Sequence, residues 1–131
     1  MIWKNYTVTG EDVNDVMVME NTAYVSYTIR LLYRFLYENG FSREKLTTLN
    51  LGIQQGNHGL VCYKNLMFTE PFLVEMNQFN IEDKINFKSA FFNSKNECCA
   101  EISSEVQWFD SIHMKTVATP KKILQHFSVK S

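Results

Sequence analysis

The chain has 131 residues, 45% of them hydrophobic and 21% charged, a balance that fits one folded domain of ordinary size and excludes a disordered segment. Its formal net charge is −1, which removes the electrostatic basis for binding nucleic acid or an anionic membrane surface. No apolar run reaches the ~20 residues of a membrane-spanning helix, the opening Met1-Ile2-Trp3-Lys4-Asn5 lacks the layout of a secretion signal, and three cysteines, Cys98 and Cys99 being adjacent, make no disulfide framework, so a reducing, cytoplasmic setting is expected.

Residues 2–8 set Ile2, Lys4, Tyr6 and Val8 on one side and Trp3, Asn5 and Thr7 on the other, the alternation of a strand. Residues 10–15 are polar and turn-prone. From Thr22 to Asn39 no Gly or Pro intervenes, and Asn39-Gly40 offers a left-handed stop, so a long helix is predicted there. Its polar residues Thr22, Ser26, Arg30, Arg34 and Glu38 recur at every fourth position, and nearly everything else is apolar. Such a helix is expected to be covered over most of its circumference, with Asn21 as its natural N-cap. Residues 42–46 suit a helical turn, residues 49–53 a short strand, and Gly56-Asn57-His58-Gly59 a turn. Strands are expected over residues 60–68, 72–81, 85–92 and 97–109. The last is clearest, because Ala100, Ile102, Ser104, Val106 and Trp108 alternate with Glu101, Ser103, Glu105 and Gln107. Pro120 can open a terminal helix over residues 120–127. One buried helix against a curved antiparallel sheet of five or six strands is a two-layer α+β arrangement.

That order, with the segment from Asp12 to Tyr24, resembles the hot-dog fold acyl-CoA thioesterases of the 4-hydroxybenzoyl-CoA thioesterase type. Their motif D-x-D-x-x-G leads to a Tyr at the start of the central helix. Asp12, Asn14, Met17 and Tyr24 fall on its first Asp, second Asp, Gly and Tyr without a gap. Residues 65–71 are similar to the family's strand leading into a Pro, and residues 102–110 to its final long strand. The resemblance implies a single hot-dog domain over residues 1–131 and an acyl thioester of coenzyme A or acyl-carrier protein as substrate, with no cofactor. It also implies a homodimer, or a homotetramer, with the site between subunits. In the family the second Asp is the catalytic carboxylate; here it is Asn14. The family's Gly, which permits a tight approach of loop to helix, is Met17.

Thioester hydrolysis needs a group that attacks the carbonyl or activates water, and donors for the oxyanion that forms. The N–H groups and dipole of a helix N-terminus supply donors, and by the resemblance the backbone N–H of Asn21 is the one. Asn14 takes up no proton at neutral pH, so Asp12, Asp15 and Glu20 are the carboxylates able to take over. The same three residues also suit the plain task of capping a helix and complementing its dipole. The expected catalytic set is Asn14, Asp15, Glu20 and the Asn21 N–H, with Asp12, Tyr24 and Tyr27 along the substrate, although aromatic side chains at helical spacing often simply fill a core. His58, His113 and His126 share no ligand spacing, so no metal site is expected, and no phosphate loop or G-x-S-x-G elbow is present. Two functions stay open: hydrolysis, or a hot-dog domain that binds an acyl thioester or another flat apolar ligand without cleaving it. A third arrangement, a cone-shaped α+β barrel, usually begins with helices rather than a strand.

Overall fold

A computed structural model describes residues 1–128, the side chains of Gln55 and Ser128 excepted. The chain opens with strand β1 (Trp3–Thr7) and a single 3-10 turn (Gly10–Asp12), then forms helices α1 (Asn21–Glu38) and α2 (Arg43–Thr48). Strands β2 (Leu51–Cys62), β3 (Pro71–Ile81), β4 (Ile85–Asn93), β5 (Cys98–Asp110) and β6 (Lys115–Val117) follow, and helix α3 (Lys121–Ser128) ends the described chain. The first element is extended, which the barrel alternative does not match. All pairings are antiparallel; the sheet runs β1-β3-β4-β5-β2, with β6 joined to β5.

One long helix lies across the inner face of this six-stranded sheet. Ala23, Tyr24, Tyr27, Thr28, Leu31, Leu32 and Leu36 of α1 are buried at the three- and four-residue spacing of one helical face. They meet the inward positions of the strands, among them Val74, Met76, Phe87, Phe91, Ile102, Val106 and Trp108, all 3% exposed or less. Each large apolar side chain so buried contributes about 1.5–3 kcal/mol. Gly40 stops the helix at φ +93°, a conformation that costs glycine little.

Three expectations need correction. The helix is covered less completely than expected: Val25, Ile29 and Tyr33 are only half-buried, and Tyr37 is 67% exposed. The Gly-Asn-His-Gly sequence is not a turn but lies inside one continuous strand, β2, whose register with β5 shifts between Gln55 and Asn57. The glycine there serves close approach, since a Cβ on Gly56 would stand 2.3 Å from the Glu105 carbonyl oxygen. Residues 63–68, expected to continue a strand, belong to a connection in which Leu66 is buried and Met67 makes an isolated bridge to Val18. Strand β6 was not foreseen; three residues pairing with Trp108–Asp110 are too short to leave a period.

Candidate active site at the helix N-terminus

The segment between the 3-10 turn and α1 folds back on itself. The Asn14 N–H donates to the Val18 carbonyl, the Met17 N–H donates to the Asn14 carbonyl, and Val13 bridges Met19. Inside this loop the Asn14 side-chain oxygen accepts from the N–H groups of Val16 (3.0 Å) and Val18 (3.1 Å), a turn that Asn and Asp make readily. Met17 has φ +65° and is half exposed. The position therefore calls for a left-handed backbone, rather than for a small side chain against the helix, and Met holds it at a steric cost.

Asp12 and Asn14 are separated by one residue and have opposite surroundings. Asp12 is 7% exposed; one carboxylate oxygen accepts from the Thr9 N–H (2.9 Å) and from the Tyr27 hydroxyl (2.5 Å). Its carbonyl accepts from the Glu20 N–H, which ties the 3-10 turn to the start of α1. Burial and then the Asp12 carboxylate push the Tyr27 hydroxyl up to about 12. Tyr24 and Tyr27 are 1% and 2% exposed, so both point into the core rather than along a surface open to ligand. The Tyr24 hydroxyl lies 3.9 Å from the Cys62 sulfur, and burial raises its pKa well above the usual phenol value.

Glu20, not Asn21, occupies the N-cap position of α1, and no side chain caps the helix. The Glu20 carbonyl accepts from the N–H groups of Ala23 and Tyr24. The N–H groups of Asn21 and Thr22 have no acceptor among the described residues, as the geometry of a helix start leaves them. Both residues line a cleft of about 430 Å³ together with Asn14, Glu20, Cys62 and Asn65. Glu20 is its carboxylate, exposed and not engaged in capping. Asp15 is exposed and lies off the cleft wall, and Asp12 is turned into the protein.

Of the residues singled out from sequence, the fold thus brings Asn14, Glu20 and Asn21 together, and sets Asp12, Asp15, Tyr24 and Tyr27 apart from them. It adds Thr22, Cys62 and Asn65, which the sequence reading had not placed in a site. Thr22 was within reach, as the second residue of a helix whose first turn carries the donors. Cys62 and Asn65 come from the end of β2 and the connection after it, and only the topology carries them to α1. No group of three or more His, Cys, Asp or Glu among the described residues is arranged to hold a metal ion. No described helix is long and apolar enough to cross a membrane.

No protein-family model and no curated protein sequence matches the chain. Solved structures do match it in shape. A hypothetical protein from Aquifex aeolicus superposes with a TM-score of 0.83 at 18% identity, over 96% of this chain and 98% of its own. DHNA-CoA thioesterase from Staphylococcus aureus gives 0.83 at 13% identity, over 98% of this chain and 89% of its own. A hypothetical protein from Staphylococcus aureus, solved in complex with CoA, gives 0.79 at 13% identity, over 97% of this chain and 81% of its own. Thioesterases recur among such neighbours, including a gentisyl-coenzyme A thioesterase at 0.80. The chain has the α+β hot-dog fold that these thioesterases share.

Proposed function

We propose that the protein hydrolyses an acyl thioester of coenzyme A or acyl-carrier protein at the cleft over the N-terminus of α1. The observation that carries this reading is the meeting, in one cleft, of two unsatisfied backbone donors, Asn21 and Thr22, with the uncommitted carboxylate of Glu20. The N–H pair can receive the thioester oxygen as it becomes an oxyanion, assisted by the helix dipole. Glu20 can take the proton of an attacking water, the task for which Asn14 has no basic atom. Asn14, whose oxygen is held by Val16 and Val18, keeps its amide nitrogen as a donor to the carbonyl or to that water. Tyr27 and Asp12 act behind this arrangement by fixing the 3-10 turn against the helix, and Tyr24 reaches Cys62 on the cleft wall. A shape shared with CoA thioesterases supports the reading without identifying the acyl group.

The opposing reading, a hot-dog domain that binds the thioester without cleaving it, is favoured by one observation: the family's carboxylate position is an amide. Free-thiol release from a panel of acyl-CoA and acyl-carrier-protein esters separates the two. Turnover well above the uncatalysed rate, lost in Glu20→Gln, is the expected outcome; binding with no thiol release would leave the non-catalytic reading in place.

The protein is proposed to act as a homodimer, or as a homotetramer built from two such dimers. Strand β2 pairs on one side only, with β5, and leaves a long unpaired edge. Beside it the half-buried Val25 and Ile29 of α1 offer apolar surface for a second copy to cover. Sedimentation at micromolar concentration showing only monomer would count against this. Three free cysteines accord with a cytoplasmic setting.

A further inference from the structure

Cys62 stands at the end of β2, exposed, on the wall of the cleft that also holds Asn14, Glu20, Asn21 and Thr22. The hydrolysis proposed above gives it no task. Its sulfur is nevertheless held from two sides. The thiol donates to the Lys64 carbonyl at 3.5 Å, and the Tyr24 hydroxyl approaches the sulfur at 3.9 Å. The Asn65 side-chain oxygen lies 4.0 Å away.

Tyr24 makes this more than an exposed cysteine. The residue is 1% exposed, yet its hydroxyl is brought up behind the cleft wall, where Cys62 is the side chain it meets. The Leu66 N–H faces the phenol oxygen, which turns the hydroxyl proton towards the sulfur. Burial, and then Cys62, raise the Tyr24 phenol far above its usual range, so it remains a donor. A buried donor is thus aimed at the sulfur, and the free N–H groups of Asn21 and Thr22 open into the same cleft. Such surroundings suit a thiol that carries negative charge while it reacts.

We infer that Cys62 is an acyl acceptor, and that the chain moves acyl groups from one thiol carrier to another through an acyl-Cys62 thioester. The inference rests on the reading above that a thioester carbonyl seats at the Asn21 and Thr22 donors. The Cys62 proton passes to the Glu20 carboxylate as the sulfur electron pair bonds to the carbonyl carbon. The carbonyl pair moves onto oxygen, which the two N–H groups receive. When that pair returns, the bond from carbon to the carrier's sulfur breaks, and the departing thiolate takes the proton back from Glu20. One thioester replaces another, so no water is consumed and the step runs near equilibrium in both directions. A second thiol entering the cleft reverses the sequence and leaves with the acyl group. Thiols outrun water as nucleophiles, which matters where an amide, Asn14, stands at the position expected for the acid.

The full chain is incubated with octanoyl-CoA and with benzoyl-CoA, quenched in acid and weighed intact, and the acylated peptide is mapped. In parallel free pantetheine is added, and acyl-pantetheine and free acid are measured separately. Wild type should gain one acyl mass on Cys62, saturably in acyl-CoA, and pass it to pantetheine with ping-pong kinetics. Cys62→Ala should lose the adduct and slow the transfer by about 10² or more, whereas Cys98→Ala should keep both. Absent transfer in wild type, or transfer that survives Cys62→Ala, overturns the inference. So does labelling of Cys62 that rises in simple proportion to acyl-CoA and is matched at Cys98, the behaviour of any accessible thiol. Free acid released as fast by Cys62→Ala as by wild type, with no transfer in either, sinks the inference and leaves the hydrolase reading standing. Transfer through Cys62 with no free acid does the reverse.

Discussion

Asp12 and Asn14 belong to one short loop, yet the fold uses them in opposite ways. Asp12 is buried, its carboxylate occupied by the Thr9 N–H and the Tyr27 hydroxyl. Asn14 is exposed, with its oxygen engaged in the loop and its side chain on the cleft wall. The contrast separates two kinds of polar residue that look alike in sequence. One fixes the position of a helix start, and the other lines the cleft in front of it. A carboxylate two residues from a cleft residue is thus not a carboxylate of the cleft.

The largest expected effect is on stability, at Asp12. Asp12→Ala leaves the Tyr27 hydroxyl and the Thr9 N–H without their acceptor, at a cost of about 3 kcal/mol by chemical denaturation. Asp12→Asn keeps an acceptor and should lose roughly half as much. If Asp12→Asn instead abolished turnover at unchanged stability, Asp12 would belong to the chemistry and the comparison would fail. The same pair sets an alkaline limit. Tyr27 titrates near 12 in the folded chain against 10 for a free tyrosine, so the fold favours its protonated form. That contribution is fully present below pH 10 and is lost as pH rises from about 10 towards about 12. Unfolding midpoints measured over this window should fall more steeply for wild type than for Tyr27→Phe.

Asn14 carries the largest expected effect on activity. Asn14→Asp keeps the acceptor that Val16 and Val18 use, and charge strengthens those bonds. It replaces the amide nitrogen with a second oxygen able to take a proton. A positioned acid or base is worth about 10²–10⁴ in rate, so acyl-CoA hydrolysis should rise by about 10² if Glu20 serves only weakly in wild type. If Glu20 already does the whole task, Asn14→Asp adds little and Glu20→Gln removes turnover. If no variant lifts thiol release above background, the binding reading stands.

The structure also shows which parts of this contrast a sequence can carry. Strand β5 and helix α1 announce themselves because burial repeats along them with period two and with the helical period. Ala100, Ile102, Ser104, Val106 and Trp108 are all buried, and Glu101 and Ser103 exposed, as the alternation required. The Gly-Asn-His-Gly stretch misled because a glycine demanded by close approach to Glu105 is written with the same letters as a glycine demanded by a turn. That Asn14, Glu20 and Asn21 share a cleft was legible, because all three lie near a recognisable helix start. The burial of Asp12 was not, since the partner that decides it, Tyr27, lies a turn and a half into the helix. A left-handed backbone at Met17 was hinted at by the family's glycine, although the reason first assigned to that glycine was steric room.

Met17 gives an effect of intermediate size. With φ +65° the residue pays the left-handed cost of a side chain, and at 50% exposure it contributes little burial in return. Met17→Gly should therefore stabilise the chain by about 1 kcal/mol in equilibrium denaturation, somewhat less the entropy that glycine adds to the unfolded chain. A destabilisation would mean that Met17 makes apolar contacts worth more than the strain, for instance with a second copy.

Asp15 should show the smallest effect, and for that reason it tests the comparison most directly. It stands between Asn14 and the left-handed Met17, carries a carboxylate, and was among the residues first expected to replace the missing acid. Yet it is exposed, makes no hydrogen bond or ion pair through its side chain among the described residues, and lies off the wall that Asn14, Glu20 and Asn21 share. Asp15→Asn should accordingly change stability by less than about 0.5 kcal/mol and leave kcat/KM within twofold of wild type. A large loss of turnover with stability intact would show that the loop opens in solution to bring Asp15 over the helix N-terminus. The division between structural and chemical carboxylates would then have to be drawn from the moving loop, with Glu20 returned to the plain task of starting a helix.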